Sequence, residues 1–244
     1  MAASLLAVFA HPDDESFGPG GTLARYASRG VAVALMVASR GEGSTSGHSL
    51  EQPPAELGQL RERELQCAAR VLGVREVRVL GYPDTRLEEA DPQDLQSIIR
   101  SAIEETHPEV VLTFDSGGIT GNPDHIAVSQ ATTRAFLEVY QGRPENGPAT
   151  FRLYYWAVPD SIAASLRRIS QVPFVGVPPS AITTIIDVNQ FLDQQWQAIR
   201  CHRSQSDPVP LELAERLKAQ AGKEFFVRVW PRYRADEIER ELFV

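Results

Sequence analysis

Basic charge, cysteine and long apolar runs are what this chain has little of. Lys+Arg 24 against Asp+Glu 32 leaves a formal net charge of −8, so the basic face selected by nucleic acids and anionic membranes is missing. Two cysteines in 244 residues, Cys67 and Cys201, do not make a disulfide framework, and neither has CxxC or Cys/His metal spacing. A reducing, cytoplasmic setting is therefore expected, with Cys67 packed as a small hydrophobe within ELQCAARVL. The opening MAASLLAVFA has no basic flank and is too short for a signal-peptide core. No window approaches the ~20 apolar residues of a membrane span. What is present, 43% hydrophobic and 23% charged residues, suits a globular protein with a sizeable core.

Strand and helix signals take turns. Leu5–Ala10, Val31–Ala38, Glu76–Leu80 and Glu109–Phe114 read as strands, the second nearly continuous in apolar residues as in a sheet covered on both faces. Gly18–Arg29 reads as a loop followed by a helix. Glu56–Leu72 is an amphipathic helix stopped by Gly73, and Asp91–Glu105 and Pro123–Tyr140 are helices with Asp91 and Asn122 as N-caps. Further on come strands at Phe151–Val158, Thr183–Val188 and Phe225–Trp230 and helices at Gln190–Arg200 and Leu211–Gln220. Gly142–Ala149 is the best loop. This alternation predicts an α/β fold with a mostly parallel sheet and helices on both faces. One domain over 1–244 is expected, its last third (about 151–244) looser and rich in proline.

The first strand runs into His11-Pro12-Asp13-Asp14-Glu15. Ligands of open parallel sheets gather beyond the carboxyl ends of strands, and Pro12 keeps His11 out of helical conformation. Four ionisable groups in five residues are balanced either by solvent, as an acidic turn, or by a divalent ion; imidazole plus carboxylate suits Zn²⁺, Fe²⁺ or Mn²⁺. A nucleotide-binding Rossmann turn needs glycines where HPDDE stands, and Gly18-Pro-Gly-Gly21 comes too late.

A second cluster, Asn122-Pro123-Asp124-His125, follows another strand. Capping explains its first three residues but not His125, since a helix N-terminus disfavours a cation; a neutral metal-ligating imidazole meets no such conflict. Two strand-end clusters can meet in a doubly wound sheet, giving His11, Asp14 and His125 as a three-ligand site with a position open for water. Adjacent Asp13 and Asp14 cannot point the same way, so one would ligate and the other act as base.

These residues resemble the PIG-L/LmbE-like zinc-dependent de-N-acetylases. Ala10–Glu15 reproduces that family's first motif. Ser39–Gly43, Arg61–Leu65 with Leu72–Val74, Leu80–Asp84, the Asn-Pro-Asp-His cluster, His202–Gln205 and Glu224–Pro231 follow in family order. The resemblance implies a Rossmann-like fold, Zn²⁺ (or Fe²⁺ or another divalent metal) on His11, Asp14 and His125, and Asp13 as general base. Attack of a zinc-bound water would remove acetyl from an N-acetylglucosamine-type conjugate, a small-molecule substrate. Glu42, Arg61 and Asp84 fall where relatives contact substrate; on the helix surface, Arg61 and Glu64 also fit an i,i+3 pair.

One position departs from the family. Its second motif usually begins with histidine, an oxyanion donor tuned by the following aspartate; here Asn122 precedes Asp124. Asn122 can donate a neutral hydrogen bond but carries no charge, which leaves as the alternative a catalytically impaired metal- and sugar-binding member. His107 fits a helix C-terminus, while His48 and His202 each divide between site-side and structural roles. Trp156, Trp196 and residues 172–180 suit a subunit contact of a homo-oligomer or a substrate wall equally.

Overall fold

The computed structural model describes residues 3–44, 53–140, 151–170, 172–206, 222–233 and 237–243. The loop expected at 142–149, the helix expected at 211–220 and His48 lie outside them. In chain order the elements are β1 (Ser4–Phe9), α1 (Asp14–Phe17), α2 (Gly20–Ser28), β2 (Ala32–Ser39), α3 (Pro54–Leu72), β3 (Glu76–Tyr82), α4 (Pro92–Thr106) and β4 (Val110–Phe114). There follow α5 (Gly118–Gly121), α6 (Pro123–Tyr140), β5 (Arg152–Ala157), α7 (Asp160–Ser170), β6 (Thr184–Asp187), α8 (Leu192–Cys201), α9 (Arg203–Ser206) and β7 (Lys223–Trp230).

The strands form a seven-stranded sheet in the order β3-β2-β1-β4-β5-β7-β6. Pairs β2–β3, β1–β4 and β4–β5 are parallel, and β7 returns antiparallel to β5. This is the expected α/β, Rossmann-like architecture, a mixed and mostly parallel sheet with helices on both faces. The order reverses its winding at β1, and β1 and β4 pair with Leu5 opposite Val110 and Ala7 opposite Leu112. The crevice beyond the carboxyl ends of two such strands is where this class of sheet places its ligands.

Contacts gather the chain into two compact units, one of Phe9–Arg86 with Asp187–Glu224 and one of Ala3–Val8, Leu87–Ile186 and Phe225–Val244. In the first, α3 packs on α8, burying Leu57, Leu65, Ala68, Ala69 and Leu72; Gly73 ends α3 at φ 77°. In the second, α4 packs on α6, and β4 (VVLTF) is buried along its whole length. Asp91 caps α4 by accepting the Gln93 N–H.

Cysteine is where the sequence reading needs correcting. Cys67 is half-buried rather than a lone packed thiol, and its sulfur is bonded to Cys201, joining α3 to α8 across 134 residues of sequence. A link closing so long a loop removes denatured-state entropy, typically ~2–4 kcal/mol of stability. Reduction with a phosphine is expected to lower the unfolding midpoint by several degrees and to expose both thiols to a thiol reagent. Two thiols titrating before reduction would contradict the bond.

Candidate metal centre and active site

In the first unit, the chain after Phe9 presents His11 and then bends sharply at Asp13, whose φ of 120° lies in a region that L side chains rarely adopt. Four contacts hold it there. Its N–H donates to Glu15 Oε2 at 3.0 Å, its carbonyl accepts from the N–H groups of Ser16 and Phe17 at 2.9 Å, and its carboxylate lies 3.1 Å from Arg61 Nη2. Arg61, 3% exposed on α3, also donates to Pro12 O at 2.5 Å and Gly41 O at 2.7 Å. Gly41 has to be glycine: its φ is 69°, and a Cβ would come within 2.3 Å of Arg61 Nη1. Burial pushes the Asp13 carboxyl up to about 6, with Arg61 opposing and Asp14 reinforcing the shift.

Asp14 turns the other way. Its Oδ2 accepts the His11 backbone N–H at 2.8 Å and faces His11 Nδ1 at 3.6 Å. The opposite ring nitrogen, Nε2, lies 3.0 Å from Asp84 Oδ1. Asp84 is fixed by the N–H groups of Gly43 at 2.8 Å and Thr85 at 2.9 Å. Burial alone would raise the Asp84 carboxyl, but the hydrogen bond from His11 holds it below the usual carboxylate range. His11, Asp14 and Asp84 thus form a buried His/Asp cluster.

In the second unit, β4 ends at Phe114 and the chain turns through Asp115, whose Oδ1 accepts from the N–H groups of Gly117 and Ile119 at 2.8 and 3.3 Å. Ile119 is held at φ 64°, an outlier for a β-branched residue. The turn aims the Gly118 carbonyl at His125 Nδ1, 3.0 Å away, while the His125 ring stacks on Phe114 with centroids 4.1 Å apart. Asn122 caps α6, its Oδ1 accepting the Asp124 N–H at 2.9 Å. Asp124 is buried and accepts the Leu87 N–H at 3.0 Å.

These contacts settle how the two imidazoles are protonated when neutral. A carbonyl only accepts, so His125 Nδ1 donates and its lone pair sits on Nε2. By the same argument His11 Nε2 donates to Asp84, and the lone pair sits on Nδ1, the nitrogen facing Asp14. An acceptor on the far nitrogen is the usual support of a metal-ligating histidine. The donor set His11, Asp14 and His125 is of a type and number that suits a divalent ion.

A model of the GlcNAc-PI de-N-acetylase family matches residues 6–136. The chain belongs to this family. Among curated members, it is 35% identical over 242 residues (84% of this chain, 80% of the relative) to the 1D-myo-inositol 2-acetamido-2-deoxy-alpha-D-glucopyranoside deacetylase of Acidothermus cellulolyticus. It is 31% identical over 205 residues (82% and 80%) to a probable N-acetyl-alpha-D-glucosaminyl L-malate deacetylase 2 of Bacillus anthracis. Among solved structures it superposes on the 4-carboxy-2-hydroxymuconate hydratase of Pseudomonas putida KT2440 with TM-score 0.68, at 22% identity over 96% of this chain and 99% of that one. A hydratase on the de-N-acetylase fold shows that the fold alone does not choose the reaction.

Within this family frame, the candidates divide by what they touch. Arg61 and Asp84, expected at the substrate, have internal partners in Asp13 and His11, and any substrate contact would add to these. Nor do Arg61 and Glu64 form the surface pair that their spacing allows: Glu64 is buried and accepts from Ser204 N–H and Oγ at 2.9 and 2.6 Å. Glu42 spends Oε1 on the Asp84 N–H at 3.1 Å, while its buried Oε2 has no hydrogen-bond partner among the described residues. A surface cleft of about 840 Å³ along α4 and α6, lined by Arg100, Arg134 and Trp230 among others, shares no residue with this chemistry. Sequence reasoning missed the pairing of Glu15 with His202, 2.7 Å apart and both fully buried. Only their presence in family-like segments marked them.

Proposed function

We propose that the protein is a metal-dependent N-deacetylase that removes acetyl from an N-acetylglucosamine-type conjugate. His11, Asp14 and His125 would hold the ion, zinc by preference and Fe²⁺ or another divalent metal by the same donors. The observation that carries this reading is the divergence of two adjacent carboxylates, Asp14 turned to His11 and Asp13 turned to Arg61. Family membership supplies the substrate class, since the similar curated proteins act on acetylated glucosaminides of inositol and malate. The reading takes 1–244 as one deacetylase domain.

When bound, such an ion polarises the acetyl carbonyl and lowers the pKa of water from ~15.7 towards ~7. Asp13, raised by burial, takes a proton from the attacking water as the C–O bond forms, and returns it to the departing amine nitrogen as the C–N bond breaks. Acetate and a free glucosamine nitrogen are the products. Arg61 orients Asp13, and the Glu42 Oε2 atom accepts from a sugar hydroxyl. The Asn122 amide donates to the carbonyl oxygen as negative charge develops there. The test is zinc content together with amine release from N-acetylglucosaminyl-inositol and -malate. No release above an Asp13→Ala control that retains metal would sink the proposal.

Asn122 favours a second reading, an impaired binder. Its Oδ1 is committed to the α6 cap, so only its neutral NH₂ can face an oxyanion. Loss of one such donor costs ~10²–10³ in turnover, and a weaker donor less. Asn122→His is therefore expected to raise kcat by about tenfold with KM little changed. No gain, with sugar binding intact in calorimetry, would mark a binding protein.

No helix among the described residues is long and apolar enough to cross a membrane. A cytoplasmic enzyme acting on a small molecule, without nucleic acid and as a homo-oligomer, completes the proposal. The Cys67–Cys201 bond weighs against that compartment, and counting thiols in protein alkylated inside cells decides it.

A further inference from the structure

We infer that the buried Glu15–His202 pair is a positioning device that holds Asp13 in its strained backbone conformation. The inference rests on the reading of Asp13 as general base only for its catalytic consequence. A non-glycine residue at φ 120° persists only where its surroundings over-determine it. On the side-chain face the determinant is Arg61. On the backbone face they are the Ser16 and Phe17 N–H groups, which donate to its carbonyl, and Glu15, whose Oε2 accepts the Asp13 N–H at 3.0 Å.

Glu15 can do this only if its own carboxylate is held, and it is held twice. Its Oε1 accepts from Ser16 Oγ at 2.5 Å and faces His202 Nε2 at 2.7 Å. A carboxylate with no exposed surface requires such partners. His202 in turn is anchored from both sides of its place in the chain. Cys201 is bonded to Cys67 on α3, and Ser204 donates twice to Glu64, also on α3. Thus α3 braces both faces of Asp13, directly through Arg61 and indirectly through His202 and Glu15. Its Nδ1 atom, buried, has no hydrogen-bond partner among the described residues, so the ring's single directed interaction is the one with Glu15.

Two variants separate positioning from bulk stability. His202→Leu removes the donor to Glu15, whereas His202→Gln keeps an amide N–H at the corresponding place. In the zinc-loaded protein, the Asp13 backbone amide proton of wild type is expected well downfield and slow to exchange. His202→Leu should move it upfield, with faster exchange and altered Asp13 Cα and Cβ shifts, while His202→Gln leaves it near wild type. Turnover should follow: about 10–100-fold lower kcat in His202→Leu, since a misplacement of ~1 Å can cost 10²-fold. KM and zinc content should stay within about twofold, and His202→Gln should recover most of the loss. Glu15→Leu, which removes the acceptor of the Asp13 N–H outright, should reproduce the His202→Leu spectrum and serves if that variant does not fold.

An Asp13 amide unchanged in His202→Leu or in Glu15→Leu overturns the inference. So does a kcat loss equal in His202→Leu and His202→Gln and tracking only their melting points. The amide measurement does not depend on turnover. If wild type releases no amine, the function reading fails, while the spectra still decide whether the pair holds Asp13.

Discussion

Asp13→Asn is expected to lower kcat by about 10²–10⁴, the usual contribution of a positioned general base, with zinc content unchanged. The substitution is conservative in shape, although it also removes the charge paired with Arg61. Asparagine matches aspartate in shape and is among the few non-glycine residues that tolerate positive φ. Its backbone N–H can still donate to Glu15, and Arg61 still has the carbonyls of Pro12 and Gly41. What is lost is the ability to accept and return a proton. Burial prepares the wild-type carboxyl for that task by raising it to about 6, close to where a base working near neutrality is most effective. Metal analysis and steady-state kinetics on the same preparation check this result. A variant within threefold of wild type would move the base to another residue and remove Asp13 from the mechanism.

Local features were legible in the sequence, and long-range pairings were not. Pro123–Tyr140 was readable to the residue, because Asn122 and Pro123 mark the start of a helix by their own chemistry and the cap forms as expected. Val31–Ala38 falls within one residue of β2 at each end, since a continuous β-branched run has few other uses. α7 went unread: residues 160–170 lie between a predicted strand and a proline cluster, where Pro159-Asp160-Ser161 reads as a turn as readily as a helix start. At the site, the opposed directions of Asp13 and Asp14 followed from strand-end geometry alone. The partners of those residues did not follow. Arg61 and Glu64 stand three apart on a helix, a spacing equally compatible with an exposed ion pair. Only tertiary packing decides that one braces Asp13 while the other receives Ser204. Glu15 and His202 are 187 residues apart and Cys67 and Cys201 are 134 apart, so no local spacing could have joined either pair.

Removal of the ion gives the second large effect, readable without substrate. In the first unit, Asp13, Asp14 and Asp84 lie near His11, and among the described residues Arg61 is ion-paired with Asp13. A divalent ion on Asp14 would compensate the remaining charge. At free zinc about 100 times its Kd, binding stabilises the fold by about 2.7 kcal/mol, which for a chain of this length raises Tm by about 5–10 °C. A chelator should abolish both that increment and amine release, and added zinc should restore both. His125→Ala should lose the zinc increment in Tm and reduce turnover by more than about 10³-fold, because water acidification and carbonyl polarisation go together. Asp84→Asn is the informative partner, since it leaves all three ligands in place and replaces one Asp84 acceptor oxygen by a donor, weakening the support of His11 Nε2 or of the Gly43 N–H. Such supports typically contribute 10–100-fold in metal affinity or activity, so its zinc increment should shrink without vanishing. If His125→Ala kept the full zinc increment, His125 would not be a ligand, and the three-ligand assignment would be wrong.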